Sequence, residues 1–155
     1  MGSVSVEGDL LASGSDDEKV QVWNMQTNRK VAQFQIGNKV TCVKLHKNRV
    51  ISSSLDQSVK IWDVYTHQLC NLSHTNACYN FDLNPDKTVL AVACKTAVVL
   101  WDYEKAKKIK EFNLGKNMCD VRFNPAGNTL VAGSDDGRVF KIDLQFGSNI
   151  EGETA

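Results

Sequence analysis

The chain has 155 residues, of which 42% are hydrophobic, and its 18 basic side chains are balanced by 18 acidic ones. This length is typical of one domain, and this composition predicts a folded chain with a buried core. The balanced charge gives no basic field for nucleic acids or anionic membranes, and no apolar run approaches the roughly 20 residues of a membrane span.

The five cysteines are an odd number, and the N-terminal residues lack the pattern of a signal peptide. Both features favour free thiols in a reducing compartment. We therefore expect an intracellular protein, cytoplasmic or nuclear.

Short strand-like runs fill the sequence in chain order. Apolar residues alternate in KVQVWN, SVKIWD and AVVLWD, and the tryptophans of these runs lie 39 residues apart, at Trp23, Trp62 and Trp101. Alternation predicts half-buried strands. A constant period near 40 residues predicts a repeat array.

The sequence around each tryptophan repeats as well. Residues 10–24, 49–63, 89–102 and 129–143 each contain an apolar strand, a polar turn and an alternating strand, with Ile142 at the tryptophan position of the fourth copy. An earlier strand precedes the last three copies, and its predicted core positions are Val40, Val43 and Leu45, then Cys78, Phe81 and Leu83, then Met118, Val121 and Phe123.

These motifs resemble the WD-repeat β-propeller family. The Trp-Asp pair occurs at Trp62–Asp63 and Trp101–Asp102, and becomes Trp-Asn at Trp23–Asn24. The resemblance implies an all-β fold of four-stranded antiparallel blades. We expect four blades, at about 4–36, 39–73, 76–114 and 117–144. The last blade is predicted to have only three strands, so that residues 1–144 form one partial propeller domain and residues 145–155 form a tail.

A zinc site is the alternative interpretation of residues 67–78. His67, Cys70, His74 and Cys78 have side chains that zinc prefers. However, the repeat accounts for each of them as a turn, an outer strand, the family's Gly-His position and a core position. We therefore predict no metal site and no cofactor.

The hydrogen-bonded tetrad of many family members is incomplete in every blade. In blade two, Ser52, Asp56 and Trp62 are present, but Asn38 replaces the histidine. Blade three keeps His74 but lacks the serine and the aspartate.

No catalytic constellation is visible, and we expect a non-enzymatic scaffold that binds a protein or peptide. In the family, the loops before the first strand and between the second and third strands share the binding face. Acids predominate there, which favours a basic peptide. The candidate partner-binding residues are Asp16, Asp17, Glu18, Asn38, Asp56, Asn76, Lys95, Lys116, Asp135 and Asp136.

The alternative function is a propeller that binds nucleic acid through the basic segment Lys105–Lys116. For assembly, we expect a homodimer or a complex with another repeat protein that completes the propeller. A fragment of a longer propeller is the remaining interpretation.

Overall fold

The structure is a computed structural model that describes residues 2–144, together with the backbone of residues 149–154. The described residues form sixteen strands and no helix. No helical segment of the described residues has the length and apolar character needed to cross a membrane. The chain divides into two compact units, Met1–Cys78 and Tyr79–Ala155.

The first unit contains two antiparallel sheets of four strands, and each sheet is ordered as in the sequence. Blade one consists of β1 (Ser3–Glu7), β2 (Leu10–Gly14), β3 (Lys19–Asn24) and β4 (Arg29–Gln35). Blade two consists of β5 (Val40–His46), β6 (Arg49–Ser54), β7 (Ser58–Asp63) and β8 (Leu69–Ser73).

The second unit repeats this arrangement. Blade three consists of β9 (Cys78–Leu83, which begins at the last residue of the first unit), β10 (Val89–Cys94), β11 (Ala97–Asp102) and β12 (Lys107–Asn113). Blade four consists of β13 (Met118–Phe123), β14 (Thr129–Ser134), β15 (Arg138–Asp143) and β16 (Asn149–Thr154). The predicted all-β fold of four-stranded blades is confirmed.

The prediction of only three strands in blade four is wrong. Strand β16 pairs with β15 from Asp143↔Asn149 to Arg138↔Thr154. Its sequence NIEGET lacks the apolar alternation from which the other strands were predicted. An edge strand can be held by backbone hydrogen bonds alone and needs no apolar face. Residues 145–148 and 155 of the expected tail lie outside the described residues, and the single-domain boundary stays a prediction.

The residue after each tryptophan caps the turn that follows. The side-chain oxygen of Asp63 accepts the N–H groups of Tyr65 and Thr66 at 2.9 and 2.8 Å. Asp102 accepts two turn N–H groups in the same way, and so does the amide oxygen of Asn24. An asparagine can replace the aspartate of the motif because only the acceptor oxygen is required.

A left-handed residue ends the same turn in three blades. Asn28, His67 and Ala106 each lie five residues after the tryptophan, with φ angles of 55°, 60° and 53°. Such angles suit glycine best. The predicted turn at Thr66–His67 is thereby confirmed.

Within the first unit, blades one and two share one apolar core. The first strands of the two blades are also joined by side chain to backbone hydrogen bonds. The Ser3 and Ser5 hydroxyls accept the N–H groups of Val43 and Leu45, at 3.1 and 2.9 Å. Each bond joins residues 40 positions apart, so the repeat length sets the register between neighbouring blades.

Within the second unit, blades three and four share another core. Here Asp82 accepts the N–H of Phe123 at 2.9 Å, and Asn80 donates to Asp120 at 2.8 Å. By strand register, Asp82 stands where Ser5 stands in the first unit. The same inter-blade bond is therefore made by two different side chains. Of the predicted first-strand core positions, all are buried except Phe123, which is half-buried.

Candidate functional site

In each unit the hairpin turns between second and third strands lie beside the connectors that lead into the next blade. We call these segments the loop edge of the unit. It comprises residues 15–18, 36–39, 55–57 and 74–77 in the first unit, and residues 95–96, 114–117 and 135–137 in the second.

Backbone hydrogen bonds fix the loop edge of the first unit. The carbonyl of Ser15 accepts the N–H of Val40 at 3.2 Å, and the carbonyl of Glu18 accepts the N–H of Ile36 at 2.8 Å. In blade two, the carbonyl of Gln57 accepts the N–H of His74 at 2.8 Å. Each turn is thus bonded to its neighbouring connector, and the exposed side chains rest on a supported backbone.

The second unit shows the same arrangement. The carbonyl of Thr96 accepts the N–H groups of Leu114 and Gly115, at 2.9 and 3.1 Å. The carbonyl of Asn117 accepts the N–H of Asp135 at 3.0 Å, and the Asn117 amide group donates to the Asp135 carboxylate at 2.8 Å. The loops that were predicted to share one face therefore lie together within each unit.

The acids of blade one project from their turn. Asp16 and Asp17 are exposed, and the Asp17 carboxylate accepts the N–H of Lys19 at 3.2 Å. Glu18 has a φ angle of 69°. Gln57 and Gly137 stand at the same turn position in other blades, with φ angles of 70° and 84°. A left-handed residue thus ends this turn in three blades, directly before the third strand.

Asp56, by contrast, is engaged inside its own blade. Its carboxylate accepts hydrogen bonds from Lys60 and from the N–H and hydroxyl of Ser58. The Lys60 ammonium also donates to the carbonyl of Ile36 in the connector from blade one, at 3.1 Å. Burial acts to raise the pKa of Asp56, but the bonds from Lys60 and Ser58 hold this pKa below its ordinary value. Asp56 is thus linked, through Lys60, to the connector that precedes its blade.

Asp136 has a similar place in blade four. Its carboxylate accepts the Ser134 hydroxyl at 2.5 Å and lies 3.2 Å from the Lys116 ammonium and 3.6 Å from the Arg138 guanidinium. The Ser134 hydroxyl, followed by Lys116 and the Arg138 backbone, lowers the pKa of Asp136. Lys116 and Asp136, both candidate binding residues, are paired with each other.

The other candidates divide between connectors and turns. Asn38 caps its own connector, since its side-chain oxygen accepts the N–H of Lys39 at 2.8 Å. Asn76 is half-buried in the connector that precedes β9, and Lys95 and Asp135 are exposed in hairpin turns. The exposed acids of the loop edges are therefore Asp16, Asp17, Asp135 and Asp136.

Cys119 lies in β13, close to two acidic residues of the second unit. This residue is exposed, and its Sγ lies 3.8 Å from the carbonyl oxygen of Asn117. Partial burial, and then the carboxylates of Asp135 and Asp120, raise the pKa of the Cys119 thiol.

Comparison with known proteins gives a match to the family model described as "WD domain, G-beta repeat", over residues 2–24, 29–63 and 107–143. These segments cover more than half of the chain. The chain belongs to this WD-repeat family.

Three relatives illustrate how widely this WD-repeat sequence is shared. The chain is 29% identical over 150 residues to WD repeat-containing protein 89 homolog of Dictyostelium discoideum, covering 92% of this chain and 41% of that protein. It is 28% identical to a guanine nucleotide-binding protein subunit beta of Zea mays, covering 93% of this chain and 44% of that protein. For the Arabidopsis thaliana transcriptional corepressor LEUNIG_HOMOLOG, the identity is 28% and the shares are 92% and 19%. The chain thus spans less than half of each relative.

The WD-repeat tetrad is not formed in blade two. Among the residues that the structure describes, the buried Ser52 hydroxyl and Trp62 indole nitrogen have no hydrogen-bond partner. Asn38, which replaces the usual histidine, uses its oxygen to cap Lys39 instead. The polar network that blade two does contain joins Asp56, Ser58 and Lys60.

The residues of the alternative zinc interpretation have structural places in this WD-repeat chain. The His67 ring meets the Phe34 ring edge-on, with centroids 5.5 Å apart. Cys70 lies in β8 opposite Ile61. Cys78 is fully buried, and its carbonyl accepts the Thr41 hydroxyl at 2.9 Å. These three residues therefore serve packing or backbone bonding, and the absence of a metal site stays a prediction.

The lysines of the alternative nucleic-acid interpretation are partly engaged. Lys108 pairs with Glu111, and Lys116 pairs with Asp136. Lys110 lies over the Phe112 ring, 5.1 Å from its centroid, while Lys105 and Lys107 are exposed.

Two charged residues of the turn networks, Lys60 and Arg138, were missed by sequence reasoning. Each follows an acid of the second hairpin turn, Lys60 by four residues and Arg138 by two. In a hairpin, a basic residue near the start of the following strand can lie close to an acid of the turn. An acid followed by a basic residue on the next strand was the available signal.

Proposed function

We propose that this WD-repeat chain is a non-catalytic scaffold that binds a basic peptide segment of a partner protein at its loop edges. The observation that carries the proposal is the combination of exposed acids with a backbone fixed by hydrogen bonds between turn and connector. A fixed backbone lowers the entropy cost of binding. Acidic side chains attract lysine and arginine side chains and accept their hydrogen bonds.

The relatives support an intracellular role of this kind. Their names include a guanine nucleotide-binding protein subunit, a transcriptional corepressor and, at 27% identity over 141 residues, the human pre-mRNA-processing factor 17. We propose by analogy that this chain works within a protein complex of the cytoplasm or nucleus.

The test is a titration of a fluorescein-labelled arginine-rich peptide, followed by fluorescence anisotropy. We expect Asp16→Asn combined with Asp17→Asn, and separately Asp135→Asn, to weaken binding about threefold or more. The matched control is Asp86→Asn, an exposed acid in the turn between β9 and β10, at the opposite end of the strands. Equal weakening by Asp86→Asn would show that net charge, and not the loop edge, attracts the peptide.

A second measurement separates this function from nucleic-acid binding. Affinity for duplex DNA should be low, and the Lys105→Gln and Lys107→Gln variants should leave binding of the arginine-rich peptide unchanged. A DNA affinity that falls steeply as the salt concentration rises, with a weaker salt dependence in these lysine variants, would instead support the nucleic-acid function. Affinity capture followed by mass spectrometry then identifies the partner.

We also propose that a β-sheet of a second protein chain packs against the exposed face of β1. Val4 and Val6 are 65% and 56% exposed. By register they correspond to Val43 and Leu45, which are buried between blades one and two. The expected complex is a homodimer or a complex with another repeat protein. Light scattering of the purified chain should give about twice its 17.2 kDa mass for the homodimer, and Val4→Ser should reduce that mass to a monomer's.

A further inference from the structure

The two units differ at one place where their blades meet. In the first unit, Trp62 of blade two stacks on Phe34 of blade one, with centroids 4.5 Å apart and planes inclined by 18°. In the second unit, strand register puts Phe112 at the Phe34 position and Ile142 at the Trp62 position. Ile142 is fully buried, so its side chain does not reach outward as an indole does.

A second pair of equivalent residues shows the effect of this replacement. Val31 and Ile109 are the bulge residues of β4 and β12, each skipped in the pairing of its strand. Val31 is half-buried and packs, with Trp62, against the core of the first unit. Ile109 is 54% exposed. In the described part of the second unit, therefore, no tryptophan covers the residue equivalent to Val31, and Ile109 is left exposed.

A groove of about 330 Å³ opens at this place, and Ile109, Phe112, Phe123 and Leu144 are among its lining residues. Its volume lies at the lower end of the roughly 300–1,000 Å³ range of ligand sites. One aromatic side chain, rather than a larger ligand, is the occupant that this size favours. The first unit provides the internal template, an indole ring stacked on the equivalent phenylalanine.

The charge of the groove further defines the occupant. Of the residues that line it, all within the described part of the chain, Lys110 alone is charged. The equivalent residue of blade one is the buried Ala32. Asn84, the other polar side chain of the lining, uses its oxygen for the N–H groups of Thr88 and Val89. A cation beside an apolar groove is complementary to an aromatic group that carries a carboxylate next to it.

We propose that this groove between blades three and four binds an aromatic side chain, best a tryptophan, of a partner peptide in which an aspartate or glutamate lies next to the aromatic residue. The ring packs against Phe112 and covers Ile109. The Lys110 ammonium, which lies 5.1 Å from the Phe112 centroid, turns from that ring to pair with the acidic neighbour. The site is separate from the loop edges, and its ligand is acidic where theirs is basic.

The probe is a fluorescein-labelled peptide of sequence Gly-Ser-Trp-Glu-Ser-Gly, titrated with the full chain and followed by anisotropy. Replacement of its Trp by Ala should weaken binding about tenfold. Replacement of the peptide's Glu by Gln should weaken binding to the wild-type protein about threefold. The same replacement should not change binding to the Lys110→Gln variant, because that variant lacks the pairing charge.

Three protein variants complete the test. Ile142→Trp should fill the groove from within and abolish binding, with circular dichroism unchanged. Ile109→Ser should weaken binding about fivefold, whereas Val131→Ser, at a residue 41% exposed on β14, should not change it. Ile109→Ser alone carries the test if Ile142→Trp fails to fold. Equal affinity of the Trp and Ala peptides, or equal effects of Ile109→Ser and Val131→Ser, would overturn the proposal.

Discussion

Trp62 stacks on Phe34 at a ring-centroid distance of 4.5 Å and joins blade two to blade one. The contact is made although the Trp62 indole nitrogen has no hydrogen-bond partner among the described residues. Trp62 therefore contributes to stability through apolar packing rather than through the tetrad.

We expect Trp62→Ala to lower the free energy of unfolding by about 3 kcal/mol, because it removes the stacked ring and leaves a cavity beside Phe34. The control is Lys107→Ala, at an exposed position of β12, which should change stability by less than about 0.5 kcal/mol. Urea unfolding measures both, and identical midpoints for the two variants would contradict this place for Trp62.

Asp63 makes stability depend on pH. Bonds from the backbone N–H groups of Thr66 and Tyr65 lower the pKa of its carboxyl group. A lowered folded-state pKa stabilises the native state fully above the unfolded value of about 3.9, and this stabilisation is lost as pH falls through the folded-state value. Asp63→Asn should keep the turn, as Asn24 does in blade one, and should lose less stability than wild type between about pH 5 and pH 2. Parallel stability curves for the two proteins would refute this role.

Ala106 occupies a left-handed backbone conformation with a φ angle of 53°. Ala106→Gly should raise the free energy of unfolding by about 0.5 kcal/mol, because relief of the Cβ strain exceeds the added entropy of the unfolded chain. Ala126, in the turn between β13 and β14, has no positive φ, and Ala126→Gly should destabilise by about 0.5 kcal/mol. Thermal melts of both variants test the opposite signs, and a loss in both would be inconsistent with strain at Ala106.

Gly14 is a point of close contact between blades one and two. A Cβ at Gly14 would lie 2.5 Å from Val40 Cγ1 and 2.7 Å from Val43 Cγ1. Gly14→Ala should therefore cost about 1–3 kcal/mol through overpacking. Gly133 has the same register in blade four, yet its Cβ would meet no described atom within 4 Å, so Gly133→Ala should change stability by less than about 0.5 kcal/mol. Denaturant unfolding compares the pair, and equal costs would rule out a specific clash at Gly14.

The sequence predicted the blades well, because the 39-residue period and the alternation of residues such as Val20 and Val22 reflect burial directly. Strand β16 could not be predicted in the same way, since its pairing with β15 uses the backbone. The candidate site was predicted as a set of loops with ten named side chains, but the bonds that these side chains make were not predicted. That Asp56 bonds to Lys60 while Asp17 projects outward depends on side-chain directions, which a repeat pattern does not encode.

The connectors between successive blades all have the same length, which restricts where residues can be inserted or deleted. Residues 36–39, 74–77 and 114–117 each provide four residues between the last strand of one blade and the first of the next. The hairpin turns between second and third strands vary instead, with four residues at 15–18, three at 55–57 and two at 95–96. A change of length should therefore destabilise the fold less at these hairpin turns than in the connectors, but it would also alter the loop edge there.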